Sequence, residues 1–222
     1  QNPVMVLQQE ADSIFIAADT LYSAKLSLMD SSRQVPWILD SLPVVDSLAK
    51  TDSSSDRYFE AYYHVRIFSD SMQAVGDSLF YSLKDSAFRL FRNPVIWTQN
   101  NQITGDTIYL YTENKKPKRM YVFENALTIS SIDSTQFYNQ MKGRTIDTYF
   151  LNGNIEHIRT KGNAESIYYA LDNENKFIGV NKASSDIIDI YFQKKEPDKI
   201  VFRNNLIGTM YPMRQVNHDE IK

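Results

Sequence analysis

The sequence predicts an all-β fold, and three observations carry that prediction. Apolar residues alternate with a period of two almost everywhere after Arg57, the signature of half-buried strands. No segment there sustains an i, i+3, i+4, i+7 apolar stripe over three turns, so helices should be few or absent. The chain is also rich in Tyr (14) and Phe (12) and holds only 7 Gly and 7 Pro, a balance that suits pleated sheets and opposes disorder.

Taken in order, the first 29 residues carry a strand pair at Ser13 to Ile16 and Thr20 to Tyr22. Residues 30–57 form a Ser/Asp-rich insertion with an apolar centre around Trp37 and Val44, read as a loop pinned by that centre or as a flap over an apolar groove. Residues 58–222 form the main β domain. In Ala61 to Phe68, Ala61, Tyr63, Val65 and Ile67 fall on one side of a strand, opposite Tyr62, His64, Arg66 and Phe68. Short strands follow at Ala87 to Phe91, Val95 to Trp97, Thr107 to Tyr111, Met120 to Phe123, Thr145 to Phe150, Ile155 to Thr160, Ser166 to Ala170, Ile187 to Phe192 and Lys199 to Phe202. Asn- and Asp-rich turns separate many of them.

A repeated unit organises these strands: a small residue, usually a polar one, Thr or Ser, Ile or Leu, then aromatics. It appears as Ala18-Asp19-Thr20-Leu21-Tyr22, Gly76-Asp77-Ser78-Leu79-Phe80-Tyr81, Gly105-Asp106-Thr107-Ile108-Tyr109-Leu110-Tyr111 and Gly143-Arg144-Thr145-Ile146-Asp147-Thr148-Tyr149-Phe150. Looser copies span Gly162 to Tyr169 and Ser185 to Phe192. The unit reads as a turn-to-strand joint, with Gly permitting the reversal and Asp capping it. Aligned, the copies place Leu21, Leu79, Ile108, Ile146, Ile167 and Ile188 in one inward column, with Tyr81, Leu110, Thr148, Tyr169 and Ile190 two residues on. Phe80, Tyr109, Tyr149, Tyr168 and Tyr191 should then face outward. A longer similarity links Lys116 to Ala126 with Glu196 to Asn205. Spacings of 29, 38 and 19 residues between the glycines that open copies, Gly76, Gly105, Gly143 and Gly162, favour an antiparallel jellyroll over a strict β-helix.

Several functions are excluded or disfavoured by composition. A net charge of -3 with scattered Lys and Arg provides no basic stripe for nucleic acid. No run approaches the roughly 18 apolar residues of a membrane helix, and Gln1 to Leu7 does not read as a signal peptide. With no cysteine, and with His64, His157 and His218 far apart, neither a metal site nor a cofactor is expected. No nucleophile elbow or phosphate loop is present. The remaining enzyme reading is a polysaccharide-acting β-repeat protein using a carboxylate pair among Asp77, Asp106, Asp147, Asp186 and Asp189. A structural or protein-interaction module with a closed core is a third reading. The Lys115-Lys116-Pro117-Lys118-Arg119 and Lys194-Lys195-Glu196 turns read as solvated loops.

The Gly-Asp-Thr-Ile-Tyr-Leu-Tyr unit, Phe91-Arg92-Asn93-Pro94-Val95-Ile96-Trp97, Ile178 to Ser185 and Thr209-Met210-Tyr211-Pro212 together resemble the OstA-like family, relatives of the LptA-type lipopolysaccharide-transport proteins. The likeness covers roughly Ser13 to Lys222 outside the insertion and is nearest the C-terminal part of the Bacteroidetes-type members. It implies a twisted, V-shaped, open-ended antiparallel jellyroll in the periplasm, next to the outer membrane, and a non-enzymatic role in lipopolysaccharide transport. Its implied partners are lipopolysaccharide or a lipid A-like glycolipid and other jellyroll domains of the transport bridge, joined by edge-strand pairing in a head-to-tail oligomer. The implied lipid-binding interior is Leu21, Leu79, Tyr81, Ile108, Leu110, Ile146, Phe150, Ile167, Tyr169, Ile188, Ile190 and Phe192. The same column would equally fill an ordinary closed core.

Overall fold

The computed structural model describes residues 2–8, 13–30, 35, 56–98, 100–114, 116–132, 135–172, 174 and 176–217. The expected insertion therefore lies almost wholly outside the described residues, as does His218. The described part is all β: the strands are β1 (Val4–Gln8), β2 (Ser13–Ala17), β3 (Thr20–Ala24), β4 (Tyr58–Phe68), β5 (Gln73–Ser82), β6 (Ala87–Phe91), β7 (Val95–Thr98), β8 (Asn101–Thr104), β9 (Thr107–Glu113), β10 (Lys116–Ser131), β11 (Tyr138–Leu151), β12 (Asn154–Leu171), β13 (Phe177–Gln193), β14 (Glu196–Arg203) and β15 (Ile207–Pro212). Two single 3-10 turns, Leu26–Leu28 and Met213–Gln215, are the helical elements among the described residues.

All pairings are antiparallel, and their registers divide the sheet into two layers joined along a seam. Layer one runs β3, β4, β5, β6, β9, β10, β11, β12, β13, β14. Layer two runs β1, β2, β4, β5, β7, β8, β10, β11, β12, β13, β15. Long strands belong to both layers, one half to each. The register of β4 with β5 breaks between Tyr62 and Val65, that of β10 with β11 between Phe123 and Ala126, and that of β12 with β13 between Lys161 and Ala164. Such bulges bend a strand sharply, which is what carries it from one layer into the other.

The repeated unit marks this seam, which corrects its reading as a chain reversal. Passing from layer two to layer one, the chain uses Ala18-Asp19, Gly76-Asp77, Gly105-Asp106, Gly143-Arg144 and Ser185-Asp186. Returning, it uses His64 (φ 52), Arg92-Asn93 (φ 63, 55), Glu124-Asn125 (φ 54, 51), Gly162-Asn163 (φ 79, 50) and Asn204-Asn205 (φ 60, 49). The two kinds alternate along the whole seam. Two crossings of the first kind need glycine because the layers converge there: a Cβ on Gly105 would stand 2.4 Å from Val122 Cγ1, and one on Gly143 2.5 Å from Thr160 Cγ2. The second kind uses left-handed backbone, where Asn and Gly are least strained. Reversals lie elsewhere, for example at Asn152-Gly153 and Lys194-Lys195.

Hydrogen bonds staple the seam from outside. Asp106 N donates to Glu124 O at 3.0 Å, Arg92 N to Asp106 O at 3.0 Å and Asp186 N to Asn204 O at 3.2 Å. Asn125 Nδ2 donates to Asp106 Oδ1 at 3.1 Å, Asn205 Nδ2 to Asp186 Oδ2 at 3.0 Å, and His64 Nδ1 lies 2.8 Å from Asp19 Oδ2. The bulge in β4 also turns Tyr63 out to solvent at 54% exposure, against the strand pattern expected for it.

Candidate functional site

The inner face of layer one carries two continuous cross-strand rows. Nearest the seam run Leu21, Ala61, Leu79, Leu90, Ile108, Val122, Ile146, Thr160, Ile188 and Phe202, each opposite the next. From Ala61 to Ile188 these residues are 0–3% exposed. The next row is Phe59, Tyr81, Phe88, Leu110, Met120, Thr148, Ile158, Ile190 and Ile200. Phe150 and Phe192 lie beyond it, two residues after Thr148 and Ile190 on their strands.

The structure therefore brings together ten of the expected interior residues: Leu21, Leu79, Tyr81, Ile108, Leu110, Ile146, Phe150, Ile188, Ile190 and Phe192. Ile167 and Tyr169 are a correction. They sit on layer two, on the face opposite Met141, Ala164 and Ala183, and it is Met141 and Ala164 that pack with Ile188 in the interior. Ile167 lines a shallow concavity of about 530 Å³ on the outside, with Gln140, Lys142, Glu165 and Lys182. Tyr169 stacks on Phe137 with ring centroids 4.8 Å apart. The reason is direction: Gly162 is a crossing from layer one to layer two, so the residues after it enter the wrong layer for the aligned copy.

Interior packing changes along the molecule. Up to Ile146, layer two presents Ile14, Ile16, Val65, Ile67, Ile96 and Ile103 to layer one, and the two faces interlock as one buried cluster. From β11 onward layer two presents Met141, Ala164, Ser166, Gly179, Ala183, Ser185 and Gly208. Met141 apart, these are small, and Ile158, Ile190 and Phe202 of layer one pack against this part while staying half-buried; Ile200 is 39% and Met210 48% exposed. Ile158, Ile200, Phe202, Tyr168 and Met210 were missed by sequence reasoning. Tyr168, expected to face outward, belongs to this inner face because its strand half lies in layer two. Thr160, fully buried in the seam row, has a hydroxyl with no hydrogen-bond partner. Thr160→Val is isosteric and removes that unpaired group, so it is expected to raise stability by about 1 kcal/mol, read as a higher urea midpoint at constant m.

The outer face of layer one is a polar and aromatic ladder. Arg89 is fully buried, donates to Asp85 and to Ala87 O at 3.2 Å, and lies over the rings of Phe80 and Tyr109 at 5.6 and 5.3 Å. Burial pushes the Tyr109 hydroxyl up to about 12 against the opposing pull of Arg89. Phe80 and Tyr109, expected as exposed, are instead buried by these neighbours. Further along, His157 stacks between Tyr149 (5.7 Å) and Tyr191 (4.5 Å), its Nε2 3.0 Å from Asp189 Oδ1. Asp189 also accepts from Arg159 Nε at 2.6 Å and Arg203 Nε at 2.8 Å. Burial raises its pKa, but the hydrogen bonds from Arg159, Arg203 and His157 outweigh this and hold the carboxyl far below the usual carboxylate range. Asp147 is held by Arg119 Nε at 2.8 Å and by Tyr149 Oη at 2.9 Å.

The five candidate acids thus divide between the seam (Asp77, Asp106, Asp186) and this ladder (Asp147, Asp189), and no group of three or more metal-ligating side chains occurs among the described residues. No helix among them is long and apolar enough to cross a membrane.

Fold and site together define a two-layered antiparallel jellyroll with an apolar interior, a polar outer ladder and, among the described residues, edge strands β1, β3, β14 and β15 paired on one side. No family model and no curated protein matches the chain. Among solved structures it is similar to LptH of Pseudomonas aeruginosa, described as the LptA homologous periplasmic component of the lipopolysaccharide transport device, at 15% identity, covering 64% of this chain and 95% of that one with a TM-score of 0.48. A likeness at this level leaves function to the residues themselves.

Proposed function

We propose that this chain is a non-enzymatic carrier that holds an amphipathic glycolipid, lipopolysaccharide on the sequence resemblance, by its acyl chains between the two layers. The observation that carries the reading is the inner face of layer one. Its two cross-strand rows are predominantly apolar from edge to edge; the seam row is buried from Ala61 to Ile188, whereas Ile158, Ile190 and Ile200 of the second row and Phe202 at the end of the first are only part-covered. Each acyl methylene withdrawn from water onto such a surface contributes about 0.8 kcal/mol. A non-enzymatic role is supported by the acids: the seam aspartates are engaged in crossing contacts, and Asp189 is too acidic to act as a proton donor near neutral pH.

In this reading the chain works in the periplasm as one domain of a bridge toward the outer membrane. The edges formed by β1 and β3 at one end and by β14 and β15 at the other pair with similar domains head to tail. The test is a photo-reactive side chain at Ile190, on the inner face, and at Tyr149, on the outer face, in cells. Lipopolysaccharide adducts are expected from Ile190. Adducts from Tyr149 alone would overturn the interior-binding reading.

A further inference from the structure

We infer that residues 31–55, the chain between Asp30 and Asp56, lie across the outer face of layer one from β4 to β10 and cover it as a third layer. The observation that carries this is burial on the outside of a single sheet. Tyr58, Phe80, Arg89, Tyr109, Tyr111 and Tyr121 stand on that outer face, in the register opposite to the inner rows, and all are 0–4% exposed. Layer two provides an internal standard at the same end of the molecule. The aromatic residues of its outer row, Phe15, Phe68 and Trp97, are 43%, 52% and 39% exposed. Neighbours on one sheet shield the flanks of a side chain and leave its outer end in water. Arg89, lying between Phe80 and Tyr109, covers their flanks in this way, but their outer ends need a body above the sheet.

That body belongs to the same chain, because the burial is that of one chain by itself. Among the described residues every strand belongs to layer one or layer two, and the C-terminal turn places Met213 and Val216 beside Tyr169 and Val180 on layer two. Residues 9–12 join β1 to β2 and residues 218–222 follow that turn, so both adjoin layer two and are too short to cross five strands. Residues 31–55 have the position, the length and the composition. Their two ends meet at the β3–β4 margin of the face: Ser27 N donates to Asp56 Oδ1 at 3.0 Å and Ser27 Oγ to Asp56 Oδ2 at 2.6 Å. Tyr58, two residues on, is the first covered side chain, at 3%. The path from β4 to β10 is about 20 Å at ~4.8 Å per strand interval. A segment of this length reaches about 80 Å when extended, enough to go out and back. Its apolar blocks, Val35 to Leu39 and Leu42 to Val45, suit a row of rings, and Val35 is half-buried. Pro36 and Pro43 lack the N–H that pairing with an edge strand would use, so the segment is fitted to lie on a face rather than to extend a sheet. Beyond β10 the face opens again. Tyr149 is 37% exposed, and the Arg159 and Arg203 side chains are 36% and 48% exposed, so a partner outside the molecule meets layer one only from β11 to β14.

The experiment uses the full chain. A photo-reactive phenylalanine replaces Trp37 in one variant and Val44 in another, and the adducts are mapped by digestion and mass spectrometry. Adducts within one chain are expected, on peptides that carry Phe80, Arg89, Tyr109 or Tyr121. Adducts on the layer-two peptides that carry Phe15, Phe68 or Trp97, adducts that join two chains, or no adduct from either position would each overturn the inference. A second measurement keeps Trp37 itself in place. The chain has 2 tryptophans, so Trp97→Phe, a conservative change at a half-exposed site, leaves Trp37 as the sole emitter. Its acrylamide quenching constant in the folded chain is expected to fall several-fold below the value in urea. Equal constants in the two states would show Trp37 standing in water, and the cover would be lost with it.

Discussion

Asp189→Asn is expected to lower stability by about 3 kcal/mol at neutral pH, more than any other outer-face substitution. The side chain is fully buried and gathers Arg159, Arg203 and His157, one partner from β14 and two from β12, so a single carboxylate ties the end of layer one together. An amide of the same shape cannot accept from three cationic or aromatic-flanked donors at once. The loss stays below the upper range for buried pairs because Arg159 and Arg203 are partly exposed and can turn to water. The pH dependence follows from the direction of the shift. A carboxyl whose folded pKa lies below its unfolded value, about 3.9, contributes stability that is present above pH 4 and is lost as pH falls toward the folded value. The difference in Tm between parent and variant should therefore be flat from pH 5 to 7 and shrink below pH 4. A difference that grows on acidification would contradict this account.

Gly143→Val is expected to cost about 3 kcal/mol, because the layers touch at this seam glycine. A Cβ there would meet Thr160 Cγ2 at 2.5 Å and Lys161 O at 3.0 Å. The first belongs to a β-branched side chain and the second to backbone, so neither can move aside cheaply. Gly76 provides the contrast. A Cβ there reaches only ordinary contact, 3.4 Å from Leu90 Cδ2, and its φ is not left-handed. Gly76→Ala should be neutral or stabilising by up to about 1 kcal/mol through the unfolded chain. Urea unfolding of the two variants at equal m checks the ordering; equal losses would mean that the seam is not close-packed at Gly143.

The strands were legible because period-two alternation acts locally, through the residues of one strand. The seam was legible only as a recurrence. Gly76-Asp77, Gly105-Asp106 and Gly143-Arg144 announced themselves as copies, but a small residue before a polar one is equally suited to a turn and to a crossing between layers. The returning crossings were also on view: the longer similarity ends on Glu124-Asn125 in one copy and Asn204-Asn205 in the other, both left-handed pairs. Asn in that role is indistinguishable in sequence from Asn in a hairpin. Joining short runs into strands as long as β12, with 18 residues, required knowing that the chain bends rather than reverses at Gly162-Asn163.

The inward column was legible where copies run in the same direction and failed at Ile167 and Tyr169, where the strand runs the other way. Burial of Phe80 and Tyr109 on the outer face was not legible, because it depends on Arg89 arriving from the neighbouring strand. By itself the sequence determined the β class, the unit that recurs and the alternation that gives each strand an apolar side, all of which are written within a few consecutive residues. Only the tertiary structure decided which layer each half-strand joins, and so where branched side chains interlock across the interior and where its facing residues are only half-buried. That outcome depends on which residues meet across the two layers, and partners brought together by folding leave no mark in the spacing of either one alone.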